Sequence, residues 1–85
     1  MFIIIELQTD AEGHTGNIVQ TKETKEEALS TFFSICASAA ISQVRYHTVM
    51  AIDEQGRYVT TGQGYARECF EHITPSENIL TPEEV

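Results

Sequence analysis

The residues with the greatest potential for chemistry in this 85-residue chain are Cys69 and His72, three positions apart near its C-terminal end. On one helix they would be neighbours, and an adjacent histidine can activate a cysteine as a nucleophile. No third residue is evident that would orient His72, and nothing indicates an oxyanion hole. Cys69 also fits the spacing of an apolar packing residue. We therefore expect a structural role for this pair and no enzymatic activity.

A metal site would have to draw on three histidines and one cysteine: His14, His47, Cys69 and His72. Zinc sites that can be recognised from sequence usually contain C-x2-C or H-x3-H pairs, and these residues form neither. A histidine on a strand, such as His47, or in a glycine-rich loop, such as His14, is more often a surface residue. We therefore expect neither a metal nor another cofactor.

Two features could favour an anion. The segment Gly62-Gln63-Gly64 could direct backbone N–H groups at a phosphate, but it lacks the glycine-rich continuation and the Lys-Ser/Thr pair of a nucleotide-binding loop. A turn between a strand and a helix is the simpler interpretation. The three arginines, Arg45, Arg57 and Arg67, would have to converge in space, which their positions in the sequence do not indicate.

The charge of the chain limits its partners. Thirteen acidic and five basic residues give a net charge of −8, which repels nucleic acid and anionic lipid and favours a basic protein surface. The longest apolar run, residues 2–5, is far shorter than the ~20 residues of a transmembrane helix, and Glu6 interrupts it. We expect a cytoplasmic protein with reduced cysteines that binds neither nucleic acid nor membrane.

The first half of the chain predicts a strand followed by a helix. Residues 2–9 are mostly β-branched or apolar and end in a polar, glycine-containing segment, as a strand before a turn does. Residues 17–21 could be a returning strand or a loop. Thr24 and Glu27 have the spacing of a capping box, and the apolar residues that follow recur every three or four positions. A helix is therefore predicted from about residue 25 to about 41.

The second half predicts a hairpin. Residues 44–53 and 57–61 read as strands, and Gly56 suits the left-handed position of the loop between them, which would place Asp53 opposite Arg57. The apolar spacing of residues 65–73 predicts a short amphipathic helix. Residues 74–85 contain two prolines and several glutamates, and we expect them to form an acidic tail.

Together these elements predict an α+β fold of the order β-α-β-β, in which one long helix covers one face of a three-stranded, mainly antiparallel sheet. Residues 1–73 would form a single domain. Two strands are apolar on both faces, so the face without the long helix should be covered by a second copy of the chain, by another partner or by the short helix. The residues that we expect to form a homodimer interface are Phe2, Ile4, Val49, Ala51 and Val59.

Three segments resemble a diffuse group of short proteins encoded by phages and prophages of gut bacteria: the strand at residues 2–8, the helix entry at residues 22–28 and the hairpin at residues 49–57. The resemblance covers roughly residues 2–61. It implies a phage accessory protein, and small acidic proteins of that kind are often inhibitors of host defence, including anti-CRISPR proteins. Carboxylates on a rigid surface can occupy a basic channel that normally holds nucleic-acid phosphates.

The sequence therefore predicts a small acidic, non-enzymatic protein that binds and inhibits a bacterial protein with a basic surface, such as a nucleic-acid-handling defence effector. The residues that we expect to make this contact are Glu23, Glu26, Glu27, Glu68, Glu71 and Glu77. One alternative is an oligomeric protein that sequesters a small ligand such as a nucleotide, with its site near residues 62–65. Another is a structural protein that only self-associates.

Overall fold

The structure, a computed structural model, describes residues 1–72. The predicted acidic tail and Glu77 lie outside the described residues. The helix and strands, in chain order, are β1 (Phe2–Thr9), β2 (Thr15–Lys22), α1 (Lys25–Ala40), β3 (Tyr46–Asp53), β4 (Thr60–Thr61), β5 (Gly64–Tyr65) and β6 (Arg67–Glu71).

The main sheet has the order β2-β1-β3-β6, and each neighbouring pair is antiparallel. The predicted α+β class, with one helix and a mainly antiparallel sheet, is confirmed in the described residues. The predicted number of three strands is wrong, because residues 1–72 already form a main sheet of four. Residues 17–21, for which a strand and a loop were both possible, belong to β2, which pairs with β1 along its whole length.

The predicted helix at residues 65–73 is wrong, because this segment supplies β5 and β6. Residues 67–71 pair with β3, from Arg67 opposite Met50 to Glu71 opposite Tyr46. A helix this short is marginal in isolation, whereas the second edge of β3 has backbone N–H and C=O groups that need partners. Pairing with β3 satisfies those groups and turns Phe70 toward the core.

Helix α1 begins where the capping box predicts. The backbone N–H of Glu27 donates to Oγ1 of Thr24 at 3.2 Å. The Thr24 hydroxyl in turn donates to the Glu27 carboxylate at 3.1 Å, so this carboxylate accepts from the hydroxyl and not from the Thr24 backbone N–H of the usual reciprocal box. Glu26 and Glu27 lie in the first turn, where negative charge stabilises the free N–H end of a helix.

The core lies between α1 and one face of the sheet. Its buried residues are Ala28, Phe32 and Ala39 from the helix, and Ile4, Val49, Ala51, Val59 and Ala66 from the sheet side. Four of these are alanines, and their small side chains let the helix lie close to the strands. The small side chains on the sheet face that contains Ala51 therefore explain why the helix covers that face and not the other.

The burial of these residues corrects the predicted dimer interface. Ile4, Val49, Ala51 and Val59 are buried under α1, and Phe2 packs against them, so they are core residues and cannot form a contact surface. The other face of the sheet carries the apolar side chains that the helix leaves uncovered. They are Ile3, Ile5, Leu7, Met50 and Ile52, and no described element packs over them.

The hairpin after β3 forms around Gly56, whose φ of 81° is the predicted left-handed conformation. Asp53 and Arg57 pair as expected, with Nε of Arg57 3.1 Å from Oδ2 of Asp53. The predicted strand at residues 57–61 is interrupted, however. The Val59 N–H donates to the Ala51 carbonyl, and the chain then leaves β3.

Between Val59 and Ala66 the chain leaves the main sheet. Residues 60–65, called here the excursion hairpin, contain β4 and β5, which pair only with each other. The Ala66 N–H then donates to the Val59 carbonyl at 2.7 Å, and the Ala51 N–H donates to the Ala66 carbonyl at 2.9 Å. The sheet position beside β3 is therefore filled by two segments, and the excursion hairpin projects between them.

Candidate functional site

A groove of about 930 Å³ separates α1 from the excursion hairpin and β6. We call it the α1–β6 groove. The helix contributes Leu29, Phe33 and Cys36 to its wall, and the opposite wall contains Tyr65, Glu68 and Phe70. Glu68 and Phe70 reach the groove because alternate residues of a strand share a face, and both lie on the helix side of β6.

The groove exposes aromatic rings that the core does not use. Phe33 is 54% exposed and Tyr65 is 68% exposed, whereas the neighbouring Phe32 is only 2% exposed. The rings of Phe32 and Phe33 meet edge to face, with their centroids 5.2 Å apart. Large exposed rings in a concave surface are typical of binding sites, since each offers a large apolar contact area.

The outer edge of β6 runs beside this groove and is free in the described part of the chain. The Ala51 N–H donates to the Ala66 carbonyl, and the His72 N–H donates to the Arg45 carbonyl. In an antiparallel pair these bonds alternate along the strand, so residues 66, 68, 70 and 72 point their backbone groups at β3. Arg67, Cys69 and Glu71 therefore point their N–H and C=O groups outward.

The predicted contact residues at the helix entry lie at one end of the sheet. Glu23, Glu26 and Glu27 are exposed and follow Lys22, which pairs with Phe2. Glu26 precedes Leu29 by three residues and Phe33 by seven, which places it on the groove side of α1. It does not itself line the groove, whose α1 wall begins at Leu29.

The predicted contact residues on β6 are separated from that cluster. Glu68 lines the groove, but Glu71 lies on the opposite face of β6 and pairs with Tyr46 at the far end of β3. The two ends of an eight-residue strand are about 24 Å apart at about 3.4 Å per residue. Of the predicted acidic contacts that the structure describes, only Glu68 lines the groove, so the structure does not unite them in one site.

Cys69 and His72 do not form a nucleophilic pair. Because β6 is a strand, residues three apart point to opposite faces. Cys69 is exposed and accepts a hydrogen bond from Oγ1 of Thr48 at 3.3 Å, while Nε2 of His72 donates to the Ala39 carbonyl at 2.8 Å. Burial raises the pKa of the other thiol, Cys36, and the nearby Glu68 charge raises it further. This favours the thiol over the nucleophilic thiolate.

The three histidines occupy separate places. Nδ1 of His14 lies 3.0 Å from Oδ2 of Asp10 in the turn between β1 and β2, far along the sheet from the core. His47 is buried, so its predicted surface position is wrong. Among the described residues no group of three His, Cys, Asp or Glu side chains is placed to hold a metal ion.

A buried pair, Glu6 and His47, was missed by the sequence analysis. Nε2 of His47 lies 2.7 Å from Oε1 of Glu6, and their side chains are 5% and 13% exposed. Nε2 of Gln8 donates to the same carboxylate oxygen at 3.2 Å. Glu6 lies two residues after Ile4 and therefore on the same face of β1. This alternation could have predicted from the sequence that Glu6 is buried and needs a partner. The pair links β1 to β3 and favours their observed register, since a shifted strand would leave a buried polar group unpaired.

The arginines do not converge on one anion. Arg57 pairs with Asp53, the guanidinium of Arg67 lies 6.0 Å from the centre of the Tyr58 ring, and that of Arg45 lies 5.3 Å from the Tyr46 ring. A second cavity of about 500 Å³ is lined by Tyr58 and Tyr65 together with Lys25 and Arg57. The rings of Tyr58 and Tyr65 are 6.3 Å apart and border both cavities.

Comparison of the chain with protein-family models, with curated proteins and with solved structures found no match. In the described part of the chain, no helix has the length and apolar character needed to cross a membrane.

Proposed function

We propose that this chain is a small acidic, non-enzymatic binding protein that holds an extended segment of a partner protein along β6. The observation that carries the proposal is the outer edge of β6, which pairs with no other described strand and lies beside a groove lined by exposed aromatic rings. Extended peptides commonly bind by adding a strand to such an edge, where backbone hydrogen bonds provide affinity and side-chain pockets provide specificity.

The geometry of the groove supports a particular chemistry for the proposed partner segment. An added strand would hydrogen-bond to the outward backbone groups of Arg67, Cys69 and Glu71. Alternate side chains of that strand would enter the groove, where Phe33 and Phe70 favour an apolar or aromatic residue. Glu68 favours a lysine or arginine at a neighbouring position. The proposed partner segment is therefore extended, with apolar and basic side chains directed to the groove.

The charge of the chain supports a basic partner. A net charge of −8 accelerates the approach of a positively charged surface, and the exposed Glu23, Glu26 and Glu27 extend the acidic surface beyond the groove. Following the resemblance to phage and prophage proteins, we propose that the partner is a bacterial protein such as a nucleic-acid-handling defence effector, which the chain inhibits in the cytoplasm of the host cell.

The test is capture of partners from a bacterial lysate by the tagged protein at low and high salt, followed by mass spectrometry and a binding assay with the captured protein. Glu68→Gln removes the groove carboxylate and should weaken binding at low salt. Glu71→Gln is the matched control, because it changes the same charge on the same strand but on the opposite face. Equal effects of the two variants on binding would reject the groove as the binding site. So would a captured partner that binds Phe33→Ala as tightly as the wild type.

The tyrosine pair favours a second candidate, a protein that sequesters a small ligand such as a nucleotide. A base could stack on Tyr65, and phosphates could reach Lys25 and Arg57 in the adjoining cavity. Extraction of the purified protein should then release a nucleotide, and Tyr65→Ala should lose it while Glu68→Gln retains it. A protein that yields neither a partner nor a nucleotide would favour the third alternative, a purely self-associating structural protein.

A further inference from the structure

Strand β2 is the other edge of the main sheet, and it lacks most of the features that usually protect an edge strand from pairing. It pairs with β1 over eight residues, from Thr15 to Lys22, in an uninterrupted register. Its sequence has no proline, and Lys22 at its end is its only charged residue. Ile18 on the helix side is 49% exposed and Val19 on the other side is 57% exposed. A long, regular edge strand that lacks proline, carries a single charge and exposes two adjacent apolar side chains can pair with another chain.

The outward backbone groups of β2 can be assigned from the turn that precedes it. The Asp10 N–H donates to the His14 carbonyl at 3.0 Å, and the antiparallel alternation continues from this pair along both strands. Even-numbered residues of β2 therefore bond to β1. The odd-numbered residues, Thr15, Asn17, Val19 and Thr21, point their N–H and C=O groups away from the sheet.

We infer that β2 is a homodimer interface, at which it pairs antiparallel with β2 of a second copy to form one continuous eight-stranded sheet. A two-fold axis at Ile18 uses all four outward-pointing residues of each strand, since it pairs Thr15 with Thr21 and Asn17 with Val19. In this register Ile18 of one copy meets Ile18 of the other on the helix side. Cross-strand apolar pairs of this kind stabilise sheets.

Charge complementarity supports a second copy as the occupant. Antiparallel pairing places the end of one β2 beside the start of the other, so Lys22 of one copy lies next to the partner's turn before β2. That turn carries Asp10 and Glu12, both exposed. Each Lys22 thus approaches two carboxylates of the other copy. The two-fold symmetry of the dimer repeats this contact, and the surface of the chain is otherwise strongly acidic.

The opposite edge of the sheet does not suit self-pairing. Strand β6 has five residues, of which three point outward, so self-pairing there would form fewer backbone hydrogen bonds than pairing through the eight residues of β2. Dimerisation through β2 therefore does not occupy the outer edge of β6 in either copy. The inference does not rest on the proposed function, because the two edges lie on opposite sides of the sheet and can be occupied independently.

The experiment combines sedimentation equilibrium with amide hydrogen exchange on the full chain. The wild type should have a mass that rises with concentration toward twice the 9.5 kDa of one chain. The amides of Asn17, Val19 and Thr21 should gain protection over the same concentration range, while even-numbered amides of β2 are protected throughout. Asn17→Pro should remain monomeric, because proline removes an outward N–H and is tolerated on a solvent-facing strand edge. Asn17→Thr should still dimerise.

Several results would overturn the inference. They are a monomeric wild type at every concentration, a dimer whose odd-numbered β2 amides still exchange freely, and a folded Asn17→Pro variant that dimerises like the wild type. If Asn17→Pro does not fold, hydrogen exchange of the wild type still tests the interface. Dimerisation through the uncovered apolar face would leave the odd-numbered β2 amides unprotected, whereas dimerisation through β2 would protect them.

Discussion

Two adjacent phenylalanines of α1 should separate stability from binding. Both border the α1–β6 groove, but Phe32 is 2% exposed and belongs to the core, whereas Phe33 is 54% exposed and offers its ring to the groove. Replacing each by alanine removes the same atoms from neighbouring positions of one helix. The two variants are therefore matched in chemistry and helix propensity and differ mainly in burial.

The structure provides the expected magnitudes. Truncating a fully buried phenylalanine costs about 3–5 kcal/mol, which for Phe32→Ala is a large part of the roughly 4–13 kcal/mol typical of a domain of this length. Phe33 is about half buried, so half of that cost applies, or about 2 kcal/mol. The higher helix propensity of alanine offsets about 0.5 kcal/mol of this loss in the free energy of unfolding. The net cost of Phe33→Ala is therefore about 1–2 kcal/mol.

The assay is urea unfolding followed by circular dichroism, which gives the free energy of unfolding from the midpoint and slope. We expect Phe32→Ala to lower the midpoint far more than Phe33→Ala, and Phe33→Ala to be the folded variant that loses the partner. Equal losses of stability would refute the assignment of Phe33 to the surface. Unimpaired partner binding by folded Phe33→Ala would refute the role of the groove.

Three further predictions concern the ends of elements. Thr24→Ala should lower the free energy of unfolding by about 1 kcal/mol because it removes the N-cap acceptor, and Thr24→Ser should retain most of it in the same urea assay. Gly56→Ala should cost about 1 kcal/mol by thermal unfolding, since φ is 81° and open space leaves backbone strain as the only cost. Hydrogen bonds from the backbone N–H groups of Arg57 and Gln55, together with the Arg57 side chain, lower the pKa of Asp53 below its ordinary value. Since the folded-state pKa lies below the unfolded one, its stabilisation is present above about pH 4 and is lost as the pH falls through the folded-state pKa. The stability difference between wild type and Asp53→Asn should therefore close on acidification, and a difference that is constant with pH would contradict this.

The elements predicted correctly depend on local signals. The capping box at Thr24 begins α1, and Gly56 closes the hairpin with Asp53 and Arg57 paired across it. Each of these features involves residues within four positions of one another. Local chemistry was sufficient because the backbone conformation of a cap or a tight turn is determined mainly by the residues inside it.

The features that were missed depend on distant parts of the chain. Residues 67–71 became a strand because β3, about twenty residues earlier, has an open edge, and the apolar spacing of the segment did not contain that information. Both faces of β1 are apolar, so its alternation could not show which face α1 covers; the small residues Ala51 and Ala39 decide this by allowing close approach. The groove was missed for the same reason, since Phe33 and Phe70 line one groove only in the folded chain.

The central position of β1 has a consequence for the folding kinetics. Its partners in β2 are near in sequence, from Thr9 with Thr15 to Phe2 with Lys22, whereas its partners in β3 lie 37 to 51 residues away, from Thr9 with Tyr46 to Phe2 with Asp53. Closing the longer loop has a greater entropic cost, so the β1–β2 hairpin can form early and the docking of β3 should limit the folding rate. Until β3 docks, the nascent hairpin exposes both of its edges, and the one that will become central is the more apolar of the two.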